Sequence, residues 1–260
     1  MKTLQEKIDD SINLIKQYET LAMKHWDGYT VCFSGGKDSQ VLLDLFKKSC
    51  VKFHAVYNCT TNDEPKNVYF IRKNYPDVEF ILPKLNFYQL IEKNRRLPQM
   101  NTRFCCRHLK EYYGKGFTAT GVRREESARR AQYPPVETTQ HNTTIDNIKP
   151  NSKIHFRPIL DWTEQDIWNY IELNNIPINP CYDDSGRVGC MFCPFQSTIR
   201  LHYMSKKYPK HFKLLLNAIE KAMEQGYMRE FKNISPKDVF NWWASKQTTT
   251  QFFKQLKLEL

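Results

Sequence analysis

Two stretches of this 260-residue chain carry residue types at spacings that can do chemistry. The first is Ser34-Gly35-Gly36-Lys37-Asp38-Ser39. Adjacent glycines let the backbone turn sharply and come close to a ligand. The apolar run 29–33 before them and the periodic run Gln40-Val41-Leu42-Leu43-Asp44-Leu45 after them predict a strand, a turn and a helix with no spare residue. A helix starting there offers unpaired N–H groups and the positive end of its dipole, which suits phosphate. Ser34 and Ser39 supply hydroxyls, Lys37 a point charge, and Asp38 a carboxylate able to hold magnesium beside phosphates. The order differs from the Walker loop, which needs four residues between its glycines and a lysine after the second.

The second stretch is split: Cys105-Cys106 and, far downstream, Cys190-Met191-Phe192-Cys193. A Cys-x-x-Cys pair can aim two thiolates at one metal. The adjacent pair opens an expected helix, where the dipole favours thiolates. Zinc is the usual partner of four thiolates, but its structural sites take two spaced pairs. An iron–sulfur cluster, zinc, a redox dithiol or inert thiols are the readings that remain. Cys181 is a spare ligand, a sulfur carrier or a packing residue, and Cys32, Cys50 and Cys59 read as small core residues.

A third feature is Arg123-Arg124-Glu125-Glu126-Ser127-Ala128-Arg129-Arg130, which follows a short strand ending near Gly121. Four arginines in eight residues can grip an anion through bidentate hydrogen bonds, or simply form a solvated basic face.

The elements that must position these groups alternate. An amphipathic helix is expected over 4–24, then strands over 29–33, 51–57, 78–82 and 117–121, with helices after the glycine loop, after Glu64-Pro65 and over 87–95. This alternation implies a parallel sheet covered by helices. Residues 58–62 close the second strand, at the end where open parallel sheets hold ligands. The polar stretch 138–152 reads as a loop over the site. Thr163 and Asp166 form a capping box for the next helix. From Phe195 onward the chain reads as basic helices, over 208–225 and 236–246, with Trp242-Trp243 among cations that could meet nucleic acid. The expected domains are an N-terminal helix over 1–26, a nucleotide-binding domain over 27–185 and a cysteine-bearing helical region over 186–260.

The glycine loop resembles the S-G-G-x-D-S pyrophosphate loop of the ATP pyrophosphatase and phosphoadenylylsulfate (PAPS) reductase superfamily. The run from Thr120-Gly121 through Ser127 resembles the T-G-x-R-R-E-x-S segment of PAPS reductases, and 179–183 also looks like its counterpart there. The four cysteines resemble the [4Fe-4S] layout of assimilatory adenylylsulfate reductases. The resemblance implies an α/β, Rossmann-like fold of the adenine nucleotide alpha hydrolase type, with a mainly helical C-terminal extension. It also implies an adenine-nucleotide site made by Ser34, Gly35, Gly36, Lys37, Asp38, Ser39, Asn58, Thr60, Gly121 and Arg123, and metal ligation by Cys105, Cys106, Cys190 and Cys193, near the nucleotide.

Two departures matter. The reductases use a nucleophilic cysteine in a C-terminal tail, and this sequence has none after Cys193. Lys37-Asp38 stands as in enzymes that split ATP. The leading expectation is therefore a Mg-ATP enzyme that adenylates an acceptor for sulfur transfer, with Lys37, Asp38, Arg123 and Arg124 catalytic. The alternative is a PAPS or adenylylsulfate reductase whose thiol is Cys181 or comes from a partner; a third reading is a non-catalytic nucleotide or redox sensor.

Composition agrees with a globular protein: 40% hydrophobic and 26% charged residues, and no apolar run near the ~20 residues a membrane helix needs. The N-terminus lacks a secretory signal's apolar core, so the expectation is cytoplasmic. A net charge of +11 favours phosphate-rich partners, a nucleotide or a nucleic-acid acceptor, with a sulfur donor or reductant protein beside it and no membrane.

Overall fold

The computed structural model describes residues 2–111, 116–139, 152–226, 231 and 233–258. The chain forms two compact units. The first comprises Met1–Asn58, Pro65–Ile81 and Tyr113–Val188; the second comprises Cys59–Glu64, Leu82–Tyr112 and Gly189–Leu260.

The first unit is built on a six-stranded sheet of order β3-β2-β1-β4-β6-β5. Its strands are β1 (Tyr29–Cys32), β2 (Phe53–Asn58), β3 (Glu79–Ile81), β4 (Gly116–Ala119), β5 (Val136–Thr138) and β6 (Lys153–Phe156). All neighbours run parallel except β5, which pairs antiparallel with β6. The mostly parallel, Rossmann-like arrangement is the expected one. The antiparallel edge strand is a correction, because Thr138 was expected to begin a loop; most of that loop, 140–151, lies outside the described residues. From β1 the chain winds outward through β2 and β3, then returns to place β4 on the other side of β1. The crevice at this reversal, beyond the C-terminal ends of β1 and β4, is where open α/β sheets bind ligands.

The first unit's helices are α1 (Leu4–Gln17), α2 (Glu19–His25), α3 (Lys37–Ser49), α4 (Pro65–Asn74), α7 (Ala128–Ala131), α8 (Glu164–Leu173) and α9 (Cys181–Ser185). The expected single helix over 4–24 is broken at Tyr18, whose ring packs 5.6 Å from Phe117 and 6.0 Å from Phe156. These rings join Tyr29 and Phe46 in one aromatic cluster, with Tyr29, Phe46, Phe117 and Phe156 wholly buried. The helix α8 starts as expected: Thr163 accepts from the Asp166 N–H while Asp166 accepts from the Thr163 N–H.

The second unit has its own core, gathered by α5 (Phe87–Asn94), α6 (Phe104–Cys106), α10 (Thr198–Lys207), α11 (Pro209–Glu224) and α12 (Pro236–Ser245); α13 (Thr249–Leu258) adds Phe252 and Phe253 against it. The helix α6 runs into a wide π-type turn, Arg107–Glu111. Trp242 and Trp243 are 8% and 7% exposed and belong to this core, and the Trp243 indole donates to the Pro98 carbonyl at 2.7 Å. Their expected role in stacking on nucleic acid is corrected by that burial, which leaves too little of either ring exposed for a base. Among the described residues, no helix is long and apolar enough to cross a membrane.

Candidate functional site

The glycine loop joins β1 to α3, and its own side chains fix its shape. The Ser34 N–H donates to Ser39 Oγ at 3.1 Å, and Ser39 Oγ donates to the Gly36 carbonyl at 2.8 Å. The two hydroxyls expected as ligand donors thus staple the turn. Three side chains from elsewhere in the unit pin it. Asn67 of α4 donates to the Ser34 carbonyl at 3.1 Å, and Asn179 donates to the Gly35 carbonyl at 2.8 Å and to Asn67 Oδ1 at 2.7 Å. The Tyr182 hydroxyl accepts from the Lys37 N–H at 2.9 Å. Asn67, Asn179 and Tyr182 had no role assigned from sequence; only the likeness of 179–183 to its family counterpart marked part of this set.

The two glycines are constrained differently. Gly35 has φ +76°, and a Cβ there would sit 2.4 Å from Asn67 Oδ1. Gly36 has φ −84°, and a Cβ there would meet nothing closer than 3.4 Å. Packing within the chain therefore requires the first glycine but not the second. Gly121, just after β4, lets the start of α3 come close: its Cβ would lie 2.9 Å from the Asp38 carbonyl carbon.

At the start of α3 four side chains close a ring. Lys37 Nζ lies 2.9 Å from Asp38 and 3.3 Å from Glu164. Arg123 Nε donates to Asp38 at 2.6 Å and Nη2 to Glu164 at 2.7 Å. Glu125 adds a bond to Arg123 Nη1 at 2.8 Å and accepts from the Glu164 N–H at 2.6 Å. Lys37 and Arg123 are 8% and 2% exposed, whereas the Glu164 side chain is 54% exposed. Burial of the Arg123 guanidinium works against its charge, but Asp38, Glu164 and Glu125 raise its pKa. Partial burial likewise opposes the Glu164 carboxylate, and Lys37 with Arg123 holds its pKa below the ordinary range. Two cations here face three carboxylates, so the ring carries a net negative charge without a ligand.

The structure brings Lys37, Asp38, Gly121 and Arg123 together at the sheet's reversal point. Arg124 turns elsewhere: its Nε reaches Asp161 at 2.5 Å, and its Nη1 donates to the Ala131 and Tyr133 carbonyls at 2.6 and 2.7 Å. That geometry anchors the segment after β4. Asn58 is the last residue of β2. Thr60 belongs to the second unit, where its hydroxyl lies 3.6 Å from Cys190 Sγ. Glu125 and Glu164 were missed from sequence, because no spacing signals a carboxylate that meets Lys37 from 127 positions away.

All four candidate metal ligands lie in the second unit. A hydrogen bond from Cys105 lowers the pKa of Cys106, assisted by Lys110 and Arg103, and the same bond raises that of Cys105. The adjacent pair is therefore one thiol and one favoured thiolate. Burial raises the pKa of Cys190 to about 11. The charges of Cys190, Asp63, Cys106 and Cys193 raise that of Lys110 against the effect of burial. A lysine ammonium beside Cys190, Cys106 and Cys193 suits thiolates, so the donor chemistry fits a thiolate-bound metal centre. Among the described residues, however, no three His, Cys, Asp or Glu side chains are disposed as a formed metal site. Cys181 is fully buried, Cys32 and Cys59 are half-buried, and Cys50 is exposed at the left-handed C-terminus of α3 rather than in the core.

Comparison with known proteins bears on these features. The sequence profile of the phosphoadenosine phosphosulfate reductase domain matches residues 28–196, well over half of the chain. An uncharacterized Methanocaldococcus jannaschii protein is 28% identical over 89% of this chain, which spans 59% of that protein's length. Adenosine 5'-phosphosulfate reductase 2 of Bacillus subtilis is 25% identical over 75% of this chain and 84% of its own. Among solved structures, Candida glabrata FMN adenylyltransferase with FAD and pyrophosphate superposes with a TM-score of 0.50 at 15% identity, over 74% of this chain and 67% of that one. This last likeness is one of fold. With the glycine loop, the arginine segment and the sheet reversal lying within the matched span, the chain belongs to the phosphoadenosine phosphosulfate reductase domain family of nucleotide-binding enzymes.

Proposed function

We propose that the chain binds an adenine nucleotide at the Ser34–Ser39 loop and acts on the group attached to its α-phosphate, releasing or transferring AMP. One observation carries this reading: Lys37 and Arg123 converge at the N-terminus of α3, beside a glycine that the chain's own packing does not require. The N–H groups of the loop and these two cations would receive charge developing on the phosphate oxygens. Glu164, half exposed and bound to both cations, is the group an incoming anion would displace. The excess of carboxylates in the ring favours a nucleotide that arrives with magnesium, as ATP does.

Between substrates, the relatives favour adenylylsulfate: several of them, from Bacillus and Neisseria among others, are named adenosine 5'-phosphosulfate reductases. In that reaction a thiolate attacks the sulfonate sulfur, the S–O bond breaks, and AMP leaves with the electron pair. A second thiol then attacks the thiosulfonate, releasing sulfite and closing a disulfide. Cys181 is wholly buried, which favours an external dithiol as the source of the attacking thiol and of the electrons. Cys105, Cys106, Cys190 and Cys193 would hold a [4Fe-4S] cluster, with zinc as the competing occupant; a cluster there supplies a redox-capable, charge-stabilising centre. ATP is the second reading, favoured by Lys37 next to Asp38. In that case the α-phosphorus is attacked by an acceptor oxygen and pyrophosphate leaves, for sulfur transfer.

Anaerobically purified protein is incubated with adenylylsulfate plus dithiothreitol, or with Mg-ATP plus pyrophosphatase-coupled detection. Sulfite and AMP in equal amounts support the first reading, and pyrophosphate supports the second. Nucleotide binding without either product refutes both. Iron and acid-labile sulfide near four per chain, lost in Cys106→Ser, support the cluster; stoichiometric zinc refutes it.

A further inference from the structure

The charge of the chain is divided unevenly between its units. The first unit holds 20 Lys and Arg against 19 Asp and Glu, a formal charge of +1; the second holds 19 against nine, a charge of +10. The unit with the phosphate-type loop is thus almost neutral, and a nucleotide bound there does not account for the basic excess. Within the second unit the cations concentrate in two stretches without any acid. Residues 93–110 carry six Lys and Arg, and residues 189–219 carry five.

The two stretches meet in the structure. The Arg103 guanidinium, from the first, lies 4.9 Å from the ring centroid of Phe195, from the second. Phe195 is exposed, and beyond it α10 presents Ile199 and Tyr203, one helical turn apart on the same side. Ile199 is 84% exposed. Lys207 Nζ lies 5.2 Å and the Arg200 guanidinium 5.4 Å from the Tyr203 ring centroid. Glu64 is 1% exposed and pairs with Arg200 at 2.5 Å from within. Exposed rings flanked by cations are the features that hold unstacked bases by their faces and the backbone by its charge.

We propose that Arg103, Phe195, Ile199, Tyr203, Lys206 and Lys207 form a docking track for single-stranded nucleic acid, with bases stacked on the two rings and phosphates held by the cations. A duplex is disfavoured because its base faces are already stacked. The track lies within the second unit and does not depend on which nucleotide the loop takes.

Fluorescence anisotropy tests this with the full chain and a fluorescein-labelled, mixed-sequence single strand of about 12 nucleotides, within the ~4–16 nucleotides typical of such sites. The same-length duplex and a polyglutamate peptide serve as competitors. The single strand is expected to bind and to resist both. Phe195→Ala/Tyr203→Ala weakens binding by about tenfold or more, since stacking contributes ~1–3 kcal/mol per base. Ile199→Glu, at a side chain outside the core, weakens it comparably at an unchanged melting temperature, so misfolding is separated from lost contact. Lys206→Gln flattens the log-affinity against log-salt slope by about 0.7. Absence of binding at low salt overturns the proposal. So does affinity indifferent to both ring and Ile199 substitutions, or equal competition by polyglutamate, which would mark an acidic protein surface as the partner, or by duplex.

Discussion

Gly35 and Gly36 stand side by side yet answer to different constraints, and substitution should separate them. Gly35→Ala places a Cβ at 2.4 Å from Asn67 in a left-handed conformation, so the protein should lose about 1–3 kcal/mol of stability or more, read by urea unfolding. Gly36→Ala meets no such clash and should keep its stability within about 1 kcal/mol, while nucleotide affinity falls by about tenfold or more. Equal effects of the two on folding would contradict the view that Gly36 is kept clear for a ligand. The ring at the start of α3 makes a second prediction with inorganic pyrophosphate as probe. Glu164→Gln removes a carboxylate that competes for Lys37 and Arg123, so calorimetric affinity should rise severalfold. The loop was legible in the sequence because its residues are contiguous and each type has a local reason. Glu164 and Tyr182 were not, because they reach the loop only after α8 and α9 have been placed by the fold. Arg124 shows the reverse error of local reading: side by side with Arg123 in sequence, it serves Asp161 and two carbonyls instead.

Among the elements, α8 is tied down at its first turn, which also presents Glu164. Thr163 caps it, and Asp166 both completes the cap and pairs with Lys7 of α1 at 2.5 Å. Thr163→Ala should cost about 1 kcal/mol. Burial opposes the Asp166 carboxylate, but the bonds from Lys7 and Thr163 hold its pKa below the ordinary value. A depressed carboxylate stabilises the fold fully above its unfolded pKa, about 3.9, and loses that contribution as pH falls through its lower folded value. Asp166→Asn should therefore lower stability near neutrality and flatten its decline between about pH 5 and pH 2. An unchanged acid profile would remove Asp166 from the account. This cap could be read from Thr-x-x-Asp alone, as could the strand–helix alternation. The break at Tyr18 could not: the periodicity of 4–24 continues through it, and only the aromatic cluster under Phe117 and Phe156 accounts for the turn. The strand β5 was hidden for a similar reason, since three half-buried residues at a sheet edge owe their conformation to β6 beside them.

For the whole molecule, the two units divide the chemistry that the sequence presented as one list. Loop, ring and sheet reversal belong to the near-neutral first unit; the four thiols, Lys110 and the basic excess belong to the second. Contiguous segments over 27–185 and 186–260 were the natural expectation, because sequence offers no sign that 59–64 and 82–112 cross into the second unit and carry Thr60 and Cys105-Cys106 with them. The exposed aromatics also changed place: Trp242 and Trp243, the residues singled out by composition, fill the core, while Phe195 and Tyr203 face outward. The central claim is that the Ser34–Ser39 loop is the nucleotide's reacting end. Its most direct test is AMP release from adenylylsulfate with dithiothreitol, and pyrophosphate release from Mg-ATP, by anaerobically prepared wild type and Lys37→Ala assayed in parallel. The account predicts one of the two products, reduced by about 100-fold or more in Lys37→Ala, the scale of losing a charge-stabilising donor. Product release that survives the substitution undiminished would contradict it.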